Sequence, residues 1–249
     1  MPQSPVTRSA GEPHQCSIET RLRVLREVRW FADLEDEELI ELNGRITSHA
    51  WAAGQYIHIE GDAADSLHVI AEGVAKVEKI APDGTAHIVD IAVAGDLVGV
   101  LPQLGDPVYA DSVVTLGVTC ALRIDANRFS TILRRYPSVT LHVLDDVAGK
   151  LARTRHSVTV GTRPVPERLA DVLLMLMSKV GRRDREGILI DLPLTRVDIA
   201  AMAGSTPESV SRTMSVWKAE GIVDSGRQWT RVLRPDVIRT IATGITRTA

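Results

Sequence analysis

Glu208, Ser209, Ser211 and Arg212 are spaced to share one face of a helix, and their chemistry is that of contact with DNA. A carboxylate accepts from a cytosine amino group, a guanidinium donates in pairs to a guanine edge, and short hydroxyls bond base edges or phosphates. The elements that must position them surround them in residues 194–223, LTRVDIAAMAGSTPESVSRTMSVWKAEGIV. Ile199, Ala200, Met202 and Ala203 give a first helix an apolar face, and Gly204 stops it, because glycine enters the left-handed conformation at little cost. Ser205 or Thr206 then caps a second helix, with Pro207 at its first position and Glu208 in its first turn. Val210, Met214 and Trp217 recur at helical spacing and turn the back of that helix toward the first. A helix apolar behind and polar in front fits the major groove. An ordinary helical hairpin has the same periodicity, but here IVDSGRQWTRVL follows, with a Gly-Arg-Gln tip, and predicts a two-stranded wing.

The chain around this motif has 249 residues, 44% hydrophobic and 24% charged, which is ordinary globular composition and long enough for two domains. No apolar run approaches the ~20 residues of a membrane span. The opening MPQSPVTRSAGEPHQ lacks the apolar core of a signal peptide, and Cys16 and Cys120 are too few for a disulfide framework, so a cytoplasmic protein is expected. From Arg163 onward there are 14 Lys/Arg against 10 Asp/Glu, a net +4; the remainder has 15 against 22, a net −7. A basic C-terminal part on an acidic body suits phosphate neutralisation. No nucleophile elbow, P-loop or CxxC occurs. A metal-dependent barrel enzyme of cupin type would need a clustered His/Glu set that His58 and His68 do not supply, so no enzyme is expected. A nucleotide-binding module that anchors a partner protein is disfavoured by the reading helix.

The fold class predicted is α+β. Residues 1–17 read as a flexible N-terminus. Leu22, Val24, Leu25 and Val28 predict a helix, and DEELIELNGRI a second, capped near Leu34 to Glu35 and ending near Gly44. From His49 to Ile124, short Val- and Ile-rich pieces alternate with turns such as Gly61-Asp62, Pro82-Asp83-Gly84 and Gly95-Asp96, which predicts a small antiparallel barrel or sandwich. This sensor domain is placed at 18–136, a dimerisation helix and hinge at 137–162, and the DNA-binding domain at 163–249. In the long helix Val139, Val143, Val147, Leu151 and Val158 line one stripe, flanked by Leu144 and Thr154. The stripe serves pairing with a second copy, packing on the chain's own barrel, or each for a different part of the helix. Gly161-Thr162-Arg163-Pro164 reads as a hinge.

The segments EGDAADSLHVIAEGVAKV, AGDLVG and LTRVDIAAMAGSTPESVSR, in this order, resemble the CRP/FNR family of bacterial transcription regulators over about residues 20–235. The resemblance implies a cyclic-nucleotide-binding-type β-roll (a double-stranded β-helix), a long dimerisation helix and a winged helix-turn-helix. It also implies a homodimer on palindromic double-stranded DNA, with RNA polymerase as a further partner and no membrane. The family's Glu-x-x-Ser/Gly-Arg pattern falls on Glu208, Ser211 and Arg212, and Ser211 points to the FNR-type branch with TTGA…TCAA half-sites. Pro207 stands where the catabolite-activator branch has an additional arginine, so that outer guanine contact is missing. Arg196 matches a phosphate-contacting position, Thr195 and Thr206 assist, and Arg227, Gln228 and Arg231 of the wing are weaker backbone candidates.

The effector pocket implied by the resemblance involves Gly99, Val100, Leu101, Ala110, Asp111 and Ser112, with Arg153 and Thr154 from the long helix. Val100 replaces the ribose-binding Glu of the cyclic-AMP branch, Ala110 and Asp111 replace its Arg-Ser, and Arg153 stands at a Thr. An anionic phosphate would lose a guanidinium and meet a carboxylate, which disfavours cyclic AMP, although a nucleotide-responsive regulator with a divergent pocket stays open. Cys16 and Cys120 cannot complete a four-cysteine iron–sulfur set in one chain and remain redox candidates, with burial in a strand the commoner fate of Cys120. Haem is the third option, with His14, Cys16, His49, His58 and His68 as conceivable ligands and Pro2 as a terminal one. A roll that binds no effector is the fourth.

Overall fold

In a computed structural model, the structure describes residues 12–13, 17–99, 107–157, 163–226 and 228–244. Strand β1 (Glu12–Pro13) pairs with β2 (Ile46–Trp51), Glu12 opposite Ala50 and Pro13 opposite His49, so the stretch read as flexible contributes an edge strand. Between them, α1 (Ile18–Glu27) starts where the Ser17 hydroxyl accepts from the Thr20 amide. A 3-10 turn follows over Arg29–Phe31, and α2 (Asp36–Asn43) opens in a capping box formed by Glu35 and Glu38.

The strands that follow are β3 (Tyr56–His58), β4 (Ser66–Glu72), β5 (Val74–Ile80), β6 (Ala86–Val93), β7 (Leu97–Val98), β8 (Ser112–Thr115) and β9 (Thr119–Asp125). They form two sheets, ordered β1-β2-β9-β4-β7 and β3-β8-β5-β6. Alternation along the strands separates two cores. Leu67, Val69 and Ala71 of β4, with Leu122 and Ile124 of β9, pack with the helices around Leu25, Phe31, Leu39 and Phe129. The opposite side chains, Trp51, Ile70 and Ala121, meet Ala75, Val77 and Val113 of the second sheet inside the roll. Gly99 follows β7 with φ +108, and a Cβ there would stand 3.0 Å from the Ser66 carbonyl oxygen, so the turn needs glycine.

Helix α3 (Ala126–Arg135) is capped by Asp125, which accepts from the Asn127 and Arg128 amides. The long helix α4 (Pro137–Ser157) divides the predicted stripe. Val139 and Val143 are buried in the helix-side core, whereas Leu144 is 62% exposed, with Leu141 and Val147 also exposed. The first turns therefore pack on the chain's own body; Leu141 and Leu144 lie off that stripe, because a helix gains 100° per residue, whereas Val147 continues the stripe one turn beyond Val143 and is exposed there.

The C-terminal part contains α5 (Val165–Val180), β10 (Arg182–Arg183), β11 (Ile188–Asp191), α6 (Arg196–Met202), α7 (Pro207–Ala219), β12 (Val223–Gly226), β13 (Trp229–Val232) and α8 (Pro235–Ala242). The four strands form one sheet in the order β10-β11-β13-β12, so the predicted two-stranded wing is one half of a larger sheet. The chain falls into two compact units, one of residues up to Lys79 with Asp90–Gly149, the other of Ile80–Val89 with Lys150 onward. The division lies within α4 and not at the predicted hinge. Arg163, read as part of that hinge, is fixed: it pairs with Glu167 at 2.9 Å and Asp171 at 2.6 Å and donates to the Ala242 carbonyl.

Candidate nucleic-acid interface and sensor pocket

Helix α6 opens at Thr195 in a capping box: the Thr195 hydroxyl accepts from the Asp198 amide at 3.1 Å and the Thr195 amide donates to the Asp198 carboxylate at 2.9 Å. Gly204 adopts φ +55 in the turn, as its position after the apolar face requires. Arg168 of α5 closes the turn, its Nη1 donating to the carbonyls of Ala203 at 2.7 Å and Gly204 at 2.5 Å. Helix α7 opens at Thr206, whose hydroxyl accepts from the Ser209 amide at 3.3 Å and donates to Ser209 Oγ at 3.2 Å. Val210, Met214 and Trp217 are buried behind it.

The front of α7 carries Glu208 and Arg212, both exposed, and half-buried Ser211. Among the described residues neither Glu208 nor Arg212 is tied up in an ion pair. Thr195 and Thr206 sit at helix starts, where their hydroxyls cap the Asp198 and Ser209 amides, and the Ser209 hydroxyl accepts from that of Thr206, so all three are engaged in holding the helix starts. Ser215, absent from the sequence-derived set, falls one turn beyond Ser211 on the same face and donates to the Ser211 carbonyl at 2.8 Å. Its spacing from Arg212 was the available signal.

The wing registers Gly226 opposite Trp229, with Gln228 in the left-handed region at φ +66; Arg227 lies outside the described residues. Arg231 is committed: it pairs with Asp184 at 2.9 Å and Glu186 at 2.5 Å, which takes it away from a phosphate. The Glu186 amide, and then Arg231, hold the Asp184 carboxyl below the usual range. Lys218 of α7 joins helix to wing through Asp224 at 2.6 Å. Arg196 is half-buried and donates to Ser225 Oγ at 2.9 Å, so it faces the wing as well as solvent. Arg182, Arg183 and Arg185 are exposed around β10, a basic cluster that the short strand gave no means of placing in advance.

In the roll, Val100, Leu101, Cys16 and His14 lie outside the described residues, as do the side chains of Arg153 and Thr154 on α4. Ala110 is exposed. Ser112 is buried, and its hydroxyl accepts from the Glu60 amide at 2.9 Å. Asp111 faces inward to His58 Nε2 at 3.2 Å. The His58 ring stacks on Tyr109 at 3.9 Å, with His68 at 6.4 Å, and Trp51 meets His68 edge-on at 5.8 Å. Burial, reinforced by His58, pushes the His68 imidazole down to about 3. The Nδ1 atoms of His58 and His68 and Nε1 of Trp51 are buried without hydrogen-bond partners among the described residues. Tyr109, which donates to the Ser66 carbonyl at 2.8 Å, completes this cluster and was not foreseen, because nothing in its local pattern marks it. Cys120 is buried in the helix-side core, and among the described residues no group of three or more His, Cys, Asp and Glu is placed to hold a metal ion. No helix among the described residues is long and apolar enough to cross a membrane.

Fold and surface together define a winged helix-turn-helix DNA-binding domain joined in one chain to a cyclic-nucleotide-binding-type roll. Residues 167–241 match the family described as the Crp-like helix-turn-helix domain, and residues 48–136 match the cyclic nucleotide-binding domain. The chain is similar to the transcriptional activatory protein AadR of Rhodopseudomonas palustris, 27% identical over 77% of this chain and 80% of that protein. It is also similar to the CRP-like cAMP-activated global transcriptional regulator of Mycobacterium tuberculosis, 23% identical over 77% of this chain and 86% of that protein. Among solved structures, FixK2 from Bradyrhizobium japonicum shares the fold with a TM-score of 0.70, at 21% identity over 79% of this chain and 96% of that one. The chain belongs to the CRP/FNR family of transcription regulators.

Proposed function

We propose that the protein is a homodimeric, cytoplasmic, sequence-specific regulator of transcription that reads an inverted repeat of TTGA…TCAA type through α7. The observation that carries this reading is the front of α7: Glu208, Ser211 and Arg212 stand one above the other on a helix whose start is capped and whose back is buried. Arg212 is the donor for guanine and Glu208 the acceptor for a cytosine amino group. The Leu141, Leu144 and Val147 side chains of α4 supply an apolar face for a second copy, and two-fold symmetry presents two recognition helices to two half-sites. Within this reading, residues 18–136 sense, 137–162 dimerise and 163–249 bind DNA, and the chain acts on RNA polymerase and not as an enzyme.

An effector in the roll would change DNA affinity, and DNA would change effector affinity by the same factor. Asp111 faces the interior on a buried histidine, which opposes an anionic cyclic phosphate and supports an effector other than cyclic AMP. Selection of duplexes from a randomised pool by the purified protein tests the reading. An inverted repeat with TTGA-like halves is the predicted result; a single unrepeated motif or no enrichment refutes it.

A further inference from the structure

The winged helix-turn-helix contains a cavity of about 350 Å³ between α5, β11, α6 and the wing. Buried Leu173, Leu176, Leu192 and Ile199 form its apolar wall, and half-buried Arg196 and Trp229 stand at its solvent side. The volume lies at the lower end of the ~300–1,000 Å³ typical of small-molecule sites, and an apolar wall with a few polar groups, here Arg196 with Thr195, Gln228 and Thr230, is their usual composition. Arg196 is the unusual member. Among the described residues its one hydrogen bond goes to a neutral hydroxyl, Ser225, and no carboxylate pairs with it. Burial alone draws its pKa down, with no acidic neighbour pulling the other way. A guanidinium taken partly out of water without a counter-charge is destabilised, and a planar carboxylate in its fork would offset that cost.

We propose that this cavity binds a small amphipathic monocarboxylate, its apolar body against Leu173, Leu176 and Leu192 and its carboxylate on Arg196, and that such a ligand competes with DNA for that arginine. The cavity and the charge stand by themselves; the competition rests on the placement of Arg196 at a DNA phosphate under the reading above. A monocarboxylate satisfies one guanidinium and leaves no further charge in an apolar wall, which a phosphate dianion would.

Calorimetric titration of the full chain with sodium octanoate and with 1-octanol tests the site. Octanoate is predicted to saturate at one per chain and to bind at least tenfold tighter than octanol. Tryptophan emission should respond in the wild type and not in Trp229→Phe, which reads contact at the cavity itself. Arg196→Gln should weaken octanoate at least tenfold. Leu194→Trp, which fills the cavity from a partly exposed position, should abolish binding with the thermal midpoint retained. Absence of saturable binding, equal affinity for octanol, or unchanged binding in Arg196→Gln or Leu194→Trp would overturn the site. Saturating octanoate should weaken binding of a TTGA…TCAA duplex at least fivefold. If octanoate binds as stated and duplex affinity does not move, the competition is wrong; if octanoate binds and no duplex binds in its absence, the DNA reading fails while the site stands.

Discussion

Arg168 Nη1 lies 2.5 Å from the carbonyl oxygen of Gly204, and the same nitrogen reaches the Ala203 carbonyl at 2.7 Å, so α5 ties off the end of α6 where the chain turns toward α7. The last carbonyls of a helix have no partner inside it, and a charged donor here satisfies that of the C-cap Ala203 together with the carbonyl of the turn residue Gly204. The angle between α6 and α7 therefore depends on a residue of a third helix. Arg168→Ala is expected to lower the stability of the C-terminal unit by about 1–3 kcal/mol and to weaken DNA binding on every sequence alike. Chemical denaturation and duplex titration of the same variant check both parts.

Arg212 should behave differently from Arg168. On the proposed reading its loss removes a base contact and leaves the helix geometry alone, so Arg212→Ala is expected to cost about 1–3 kcal/mol on the TTGA…TCAA duplex and to flatten preference at one base pair per half-site. The fold should be intact by circular dichroism. A uniform loss across all sequences, with a smaller salt slope, would make Arg212 a phosphate contact.

Adjacent residues of α4 predict opposite phenotypes. Val143 is 2% exposed in the helix-side core and Leu144 is 62% exposed. Leu144→Asp should give a folded monomer with weakened operator binding, whereas Val143→Asp should unfold the N-terminal unit, since an unpaired buried carboxylate costs several kcal/mol. Sedimentation velocity and thermal melting of the two variants separate the outcomes.

His68 couples the roll to pH. Its pKa is pushed down from the ordinary 6.5 of a free imidazole to about 3, chiefly by burial and then by the charges of His58 and Arg123. The unfolded chain therefore takes up a proton that the folded chain refuses. The stability from keeping His68 neutral is fully present above pH 6.5 and is lost progressively as pH falls toward 3. Between pH 7 and 5 the loss should be on the order of 2 kcal/mol, and His68→Phe should remove that slope, with Trp51 and His58 offering the ring an aromatic setting. Denaturant midpoints at the two pH values measure the difference.

The recognition helix was legible because its signals are local and consistent: a cap at Thr206, proline at the first position, glycine in the turn and apolar residues at Val210, Met214 and Trp217. The strands of the roll were legible for the same reason. What sequence pattern could not give was direction. Val139 and Leu144 both look like members of a seam until the core they face is known, and Arg231 looks like a phosphate contact until Asp184 and Glu186 are found beside it. The stacking of Tyr109 on His58 and the reach of Arg168 across 36 residues to Gly204 are contacts between distant parts of the chain, on which local periodicity is silent. Strands β10 and β11 are not legible because β10 is only two charged residues, Arg182–Arg183, so β11 lacks the visible partner strand that marks the wing as a hairpin.

On the proposed reading, α7 reads an inverted repeat as part of a dimer of this chain. Fluorescence anisotropy on labelled duplexes at fixed salt tests it most directly, using TTGA…TCAA, the same duplex with one half-site scrambled, and one with both scrambled, each against wild type and Arg212→Ala. Two chains are expected per intact duplex, binding at least ~10³-fold tighter than to the fully scrambled one, with an intermediate affinity for the half-scrambled one and most of that preference gone in Arg212→Ala. Equal affinity for the three duplexes, or one chain per intact duplex with full affinity, would contradict it.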